Sequence, residues 1–410
     1  MRMKYIEGGV CAAKGFSAAG VWCGVKANSS PEKKDLALIY SEVPCEAAGI
    51  FTKNRVKAAP VLLDMEKLAG GRAQAVAANS KNANACAPEG MENAKRMAAA
   101  AAAALGIAEE LVVVSSTGVI GQRLNIEAIE KGLPEAAKAL SASAQGSDDA
   151  ANAIMTTDTV KKEFAVETEL GGVTVRLGGI AKGSGMIHPN MGTMLCYITT
   201  DCAVSAPLLK KALLTANAVS FNRISVDGDT STNDSCILLA NGLSGNAAIT
   251  EEGPDYAAFL EALTALCTDL ARSMAADGEG AKHLITCAIK GAKTVEQAEI
   301  IGKSVIGSSL TKAAIFGCDA NWGRVLAAMG YSGEDFDPEA VDIAFASAAG
   351  RVEVCKNGRG LVFDEELAKT VLTEKEVVID VTMREGEAEA TCWGCDLTYD
   401  YVRINGDYRT

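Results

Sequence analysis

The stretch Lys182–Asp201, KGSGMIHPNMGTMLCYITTD, interrupts the middle of the chain with glycine, proline and asparagine and then turns apolar. Such a switch reads as a turn that delivers the chain into a buried strand. Thr193 opens the apolar part and has two readings. One is the first residue of an ordinary strand; the other is a hydroxyl nucleophile set free at a new N-terminus.

Outward from this stretch the periodicity changes with direction. Upstream, KKEFAVETEL and VTVRLGGIAKG read as strands, as do GVWCGVK, DLALIYSE, AAGIFTKN and AQAVAANS nearer the start, with a loop ending in NSKNANA. An alanine-rich helix is expected over Met91–Leu105, then a strand LVVVSSTGVIG running into a Ser/Thr/Gly turn, and a helix through NIEAIEKGLPEAAKAL. Downstream, APLLKKALLTANAVSFNRI and YAAFLEALTALCTDLARSMAAD carry apolar residues at helical spacing. HLITCAIKGA and EVVIDVTMREGEAEATCWGCDLTYDYVRI read as strands, with one helix, AEIIGKSVIGSSLTKAAIFG, between them. The pattern predicts an α/β protein of mixed layers without internal repeats.

The chain has 410 residues, 49% of them hydrophobic, enough for two or three cores. Its formal charge of -13 argues against nucleic acid or an anionic membrane as partner and favours small soluble ligands. Thirteen scattered cysteines read as reduced thiols of a cytoplasmic protein. No signal peptide or membrane span is expected, since the longest apolar run, MAAAAAAALGIA, is too short.

Most common site chemistries fail on inspection. His188 and His283 are the only histidines, neither with a second ligand at metal spacing, so no metal is expected. GSGMIH begins like a dinucleotide loop and then lacks its third glycine. Cys392 and Cys395, in CWGC, fall within an expected strand and read as structural cysteines. A threonine at a chain N-terminus, in contrast, carries its own base, an α-amine with a pKa of about 7.7–8.0. Thr193 would gain that amine if its hydroxyl attacked the Gly192 carbonyl and the resulting ester were opened by water. Residue chemistry alone still leaves an ordinary strand start as the alternative.

The chain resembles the glutamate N-acetyltransferase family, also called ornithine acetyltransferases, of arginine biosynthesis. The resemblance runs through GGVCAAKGFSAAGVWCGVK, NSKNANAC, SSTGVIG, IMTTDT, AKGSGMIHPNMGTMLCYITTD, SFNRISVDGDTSTND, DGEGA, GCDANWGRVLAAMGYSG and GCDLTYDYVRINGDYRT, in one order along the whole chain. It implies a four-layer α/β/β/α sandwich with mixed sheets and a smaller C-terminal α/β region at about 285–385. It also implies self-cleavage between Gly192 and Thr193, giving an α chain, 1–192, and a β chain, 193–410, assembled as an α2β2 heterotetramer. The family usually has alanine where His188 and Gly192 stand here.

Residue by residue, the resemblance makes Thr193 the nucleophile and Thr117 and Gly118 the pair that stabilises the oxyanion. It makes Thr156, Lys182, Thr193, Glu279, Asn405 and Thr410 substrate-binding, with the register between Thr156 and Thr157 open. The implied reaction moves acetyl from N2-acetylornithine to glutamate through an acetyl-Thr193 ester, without cofactor, with acetyl-CoA open as a second acetyl donor. The same nucleophile with water as acceptor would make an amidase or aminopeptidase, and that alternative stands at this point.

Overall fold

The computed structural model describes residues 3–26, 30–188 and 194–406. They form two compact units that the chain visits in turn, the first from the described residues up to 183 with 194–222 and 230–271, and the second from 184–188, 223–229 and 272–406. Gly192, Thr193 and Thr410 lie outside the described residues.

The first unit is built on a nine-stranded mixed sheet. Its path runs Lys4–Ile6, Lys162–Leu170, Val173–Lys182, Leu195–Thr200, Ser235–Ala240, Leu36–Phe51, Arg72–Asn79, Val112–Ser116, with Phe16–Val21 paired to Leu36–Phe51. Neighbours are antiparallel except for two pairs, Leu195–Thr200 with Ser235–Ala240 and Arg72–Asn79 with Val112–Ser116. Leu195–Thr200, Ser235–Ala240 and Val112–Ser116 are buried throughout, which is why LCYITT, SCILLA and VVVSS read as continuous apolar or small runs rather than alternating ones.

Two sequence expectations are corrected here. DLALIYSE and AAGIFTKN are not separate strands but parts of one, Leu36–Phe51, whose register on Arg72–Asn79 shifts between Tyr40 and Cys45. Pro44, which cannot donate to the ladder, sits inside that irregularity, and the Gln74 amide caps the freed Ser41 carbonyl at 3.0 Å. GVWCGVK leaves the sheet after Val21. The Asp35 carboxylate takes the N–H groups of Cys23, Gly24 and Val25 at 2.7, 3.1 and 2.9 Å, replacing a ladder with an anion cradle.

Helices cover the sheet. Gly90–Leu105 and Ile126–Lys138 bury Met97, Ala98, Ala101 and Ala102 with Ile129, Leu133 and Ala136 against Leu36, Leu38, Val112 and Val114. The small alanines let the first of these helices lie close to its neighbours. Another core packs Ala150, Ala151 and Ile154 on Phe16, Ile39, Tyr197 and Ile237.

The second unit has seven strands, in the order Arg359–Gly360, Gly350–Lys356, Asp342–Ser347, Glu376–Thr382, Leu284–Ala292, Ala388–Cys395, Ile224–Ser225. Alternate residues Ile285, Cys287 and Ile289 face a core with Ile301 and Val305 of helix Val295–Gly307. The single helix expected over AEIIGKSVIGSSLTKAAIFG is two, Val295–Gly307 and Ser309–Phe316. Ser308 ends the first and caps the second, its hydroxyl accepting from the Thr311 N–H at 3.3 Å. The strand expected to the end of TYDYVRI stops at Cys395, and Tyr399–Gly406 is a helix.

The α/β expectation therefore holds, with two mixed sheets and helices packed on them. All thirteen cysteines are free thiols. Among the described residues no helix is long and apolar enough to cross a membrane.

Candidate active site

In the first unit, parallel strands Arg72–Asn79 and Val112–Ser116 end together, and the loops leaving them are held by side-chain amides. Asn79 donates to the Ser80 and Asn82 carbonyls at 3.2 and 3.0 Å and accepts from the Ser116 hydroxyl at 2.7 Å. Asn82 donates to the carbonyls of Gln122 and Arg123, and Asn233 donates to those of Ala83 and Ser116 at 2.6 and 2.8 Å. This is why NSKNANA is rich in asparagine: each amide carries donors and an acceptor for backbone groups with no ladder partner.

The turn that results is narrow. Thr117 donates its N–H to the Asn79 carbonyl at 3.0 Å, and Gly118 has φ +134, with a Cβ there falling 2.2 Å from the Lys81 carbonyl carbon. Only glycine fits. Thr117 and Lys182 are both about nine-tenths buried, and the Lys182 ammonium reaches the Thr117 hydroxyl oxygen at 3.4 Å. The structure thus brings Lys182 to the oxyanion pair expected from sequence.

Thr156 joins through Asp158. The Asp158 carboxylate accepts the Thr156 N–H at 3.1 Å, the Gly183 N–H at 2.7 Å and the Lys162 ammonium at 2.6 Å. Burial alone would raise this carboxyl, but Lys182, Lys162 and the Gly183 N–H outweigh it and hold it at about 2. Asp234, at the head of strand Ser235–Ala240, is the opposite case. Burial pushes its carboxyl well above the ordinary range despite Ser231, Lys182 and Thr52, and its Oδ2 has no hydrogen-bond partner among the described residues. The next residue, Ser235, donates its N–H to the Met194 carbonyl at 2.8 Å. Thr193 precedes Met194 but lies outside the described residues.

In the second unit, Glu279 and Asn405 meet. Glu279 is buried, donates its N–H to the Ser184 carbonyl at 2.8 Å, and its carboxylate accepts from the Asn405 amide at 2.7 Å. A Cβ on Gly185 would fall 2.3 Å from the Glu279 carboxyl carbon, so the GSG run of the opening stretch leaves room for that side chain. The helix Tyr399–Gly406 presents Asn405 one turn after Tyr401, whose hydroxyl donates to Asp227 at 3.2 Å. Asp227 also takes the Met186 and Ile187 N–H groups at 2.6 and 2.8 Å.

The remaining candidates have ordinary partners. His188 Nδ1 lies 3.0 Å from the Ser225 hydroxyl, and burial lowers its pKa to about 4 with help from Lys303, against Asp227. His283 pairs with Asp396 at 2.9 Å. Cys392 and Cys395 are buried on strand Ala388–Cys395, and burial pushes their thiols up to about 12 and about 11.

Residues 17–410 match the model of the ArgJ family. The chain belongs to the ArgJ family. It is 54% identical over 409 residues to the arginine biosynthesis bifunctional protein ArgJ of Symbiobacterium thermophilum, covering 100% of each chain. To the protein of the same name from Caldanaerobacter subterraneus it is 52% identical over 409 residues, again 100% of each. The crystal structure of ornithine acetyltransferase complexed with ornithine, from Mycobacterium tuberculosis, is 40% identical, with 47% of this chain and 100% of that chain covered at a TM-score of 0.43. The family resemblance carried by the quoted blocks is borne out.

Three residues of this ArgJ-family chain shape the two clusters without having been singled out in the sequence: Asp158, Asn233 and Asp227. Each lies inside a quoted block, IMTTDT or SFNRISVDGDTSTND. What hides them is that all three act on main-chain groups distant in sequence, and no spacing rule reports such a contact.

Proposed function

We propose that this chain serves arginine biosynthesis by transferring acetyl from N2-acetyl-L-ornithine to L-glutamate through an acetyl ester on Thr193, after self-cleavage between Gly192 and Thr193. Membership of the ArgJ family and the name shared by its relatives support the pathway. The observation that carries the chemistry is the contact of Lys182 with Thr117. A lysine ammonium only donates, so the Thr117 oxygen accepts from it, and the threonine hydrogen stays available for another acceptor. Beside the Gly118 N–H, that hydrogen can serve an oxyanion, and the nearby ammonium adds positive charge where negative charge would develop.

In the proposed first step the Thr193 hydroxyl attacks the acetyl carbonyl and its α-amine takes the proton. The carbonyl π electrons move to oxygen, which Thr117 and Gly118 receive. Collapse breaks the C–N bond, the ammonium returns its proton to the departing nitrogen, and ornithine leaves. The glutamate amine then attacks the ester carbonyl, and the Thr193 oxygen recovers a proton as N-acetylglutamate departs. One amide replaces another, so the exchange needs no energy source. Lys182 suits the α-carboxylate common to both substrates, and Glu279, held by Asn405, suits the ornithine side-chain ammonium. Thr156 and Thr410 complete the proposed substrate contacts, and an α2β2 heterotetramer is the proposed assembly.

Incubation with N-acetylornithine, with and without glutamate, tests the reading. Sustained ornithine release is expected only with glutamate, whereas repeated turnover without it would make the chain an amidase. Thr193→Ala should give one uncut, inactive chain on a denaturing gel, and two fragments would refute the cleavage assignment. The word bifunctional in the relatives' names supports acetyl-CoA as a second acetyl donor, and release of CoA with glutamate as acceptor decides it.

A further inference from the structure

In the second unit, Met186 is the strained point of the GSGMIH run. Its φ of +56 puts a residue other than glycine in the left-handed region, and its side chain is 43% exposed, so core packing does not hold it there. Bonds to its backbone do. The Asp227 carboxylate takes the Met186 N–H on Oδ2 at 2.6 Å and the Ile187 N–H on Oδ1 at 2.8 Å, and the Ile187 carbonyl accepts the Val226 N–H at 2.6 Å. Bonds from amides to a carboxylate are strong ones, so a side chain from a loop 41 residues away sets this turn.

The same carboxylate reaches the helix Tyr399–Gly406. Asp227 Oδ2 also accepts the Tyr401 hydroxyl at 3.2 Å, across 174 residues of sequence. The start of that helix is seated independently: the Thr398 hydroxyl donates to the Gly280 carbonyl at 2.8 Å, and a Cβ on Gly280 would fall 2.8 Å from the Tyr401 nitrogen. One side chain therefore joins a strained turn to a helix far along the chain.

The turn leads into residues 189–193, which contain the proposed cut. Attack of a hydroxyl on the preceding carbonyl is favoured when the backbone cannot slide away from the reactive geometry. We propose that Asp227 is a positioning residue for self-cleavage, holding the left-handed turn at Met186 and, through Tyr401, making that hold depend on the docked helix Tyr399–Gly406. Processing then follows assembly of this unit. The inference rests on the proposed cleavage between Gly192 and Thr193. In that step the Thr193 oxygen bonds the Gly192 carbonyl carbon, and the C–N bond breaks with its electron pair on nitrogen, which takes the hydroxyl proton. Water then opens the ester, leaving a carboxyl group on Gly192 and the hydroxyl on Thr193.

The full chain, made by cell-free translation and sampled over time on denaturing gels, gives the cleavage rate. Asparagine at 227 has one acceptor oxygen where the turn uses two, so Asp227→Asn should be cut about tenfold more slowly than the parent. Tyr401→Phe keeps both turn bonds and should be cut about threefold more slowly. Glycine enters the left-handed region without penalty, so adding Met186→Gly to Asp227→Asn should bring the rate back to within about threefold of the parent. General loosening of the fold would not be repaired at residue 186. Parental cutting of Asp227→Asn, or no recovery with glycine at 186, overturns the inference and leaves the cleavage standing. Should Asp227→Asn misfold, Tyr401→Phe still decides, since cutting at the parental rate overturns the dependence on the helix. A parent chain that is never cut overturns the cleavage, and the positioning role with it.

Discussion

His188 stands where the family usually has alanine, and its surroundings define its character. Burial, with Lys303 reinforcing and Asp227 opposing, lowers its pKa from 6.5 to about 4, so it is neutral at working pH and bonded to Ser225. The unfolded chain takes up the proton near pH 6.5 and the folded one only near 4. The neutral imidazole therefore contributes stability that is complete above pH 6.5 and is lost as pH falls toward 4. His188→Ala should flatten this acid slope. Urea midpoints measured at pH 7 and pH 4.5 should fall less in the variant than in the parent, and equal falls would remove His188 as a contributor. Among the proposed binding residues, Lys182, Glu279 and Asn405 were singled out because their blocks carry the family's order, and the structure places Lys182 on Thr117 and Asn405 on Glu279. Asp158 was not, since its importance lies in two backbone N–H groups that no local pattern reveals.

At the scale of elements, the site depends on turns more than on strands. The strand Val112–Ser116 was plain from LVVVSS, but the turn after it needed the asparagines of a different loop to exist at all. Gly118 is the tightest point. Its φ of +134 is unfavourable for any other residue, and a methyl group would lie 2.2 Å from the Lys81 backbone, which side-chain motion cannot relieve. Gly118→Ala should therefore cost at least about 2 kcal/mol and lower the melting temperature by several degrees. Acetyl transfer should fall further than folded fraction, because the displaced N–H is one of the two proposed oxyanion donors. A variant that transfers acetyl like the parent would show that this N–H is not used. The element errors share a cause. The helix over AEIIGKSVIGSSLTKAAIFG breaks where Ser308 caps, and GVWCGVK loses its ladder to Asp35, so in both places a side chain competed successfully for backbone donors. The C-terminal helix escaped notice because TYDYVRI alternates well enough to pass for a strand, yet it is this helix that carries Asn405 to Glu279.

At the scale of the whole molecule, the sheet order of the first unit bears on what cleavage would leave behind. A cut between Gly192 and Thr193 would assign Leu195–Thr200 and Ser235–Ala240 to the new C-terminal chain and every other strand of that sheet to the N-terminal one. Those two strands are not at an edge. They lie between Val173–Lys182 on one side and Leu36–Phe51 on the other, with six register pairs at each junction. Removing them would open two long, buried strand edges and strip Tyr197, Ile237 and Leu239 from the core. Cleavage would relieve a backbone connection without loosening the sheet. The cleaved protein should thus give two bands on a denaturing gel and a single peak on native gel filtration, with both fragments present in constant ratio. Segments 1–192 and 193–410 produced separately should be insoluble or aggregated, since each would carry unpaired central strands, and should become soluble together when coexpressed. Fragments that separate in the absence of denaturant would contradict the intercalated sheet. If they stay together and transfer acetyl, the nucleophile's chain is held by strands of the other chain, and an amino terminus can be created inside a core that was already folded.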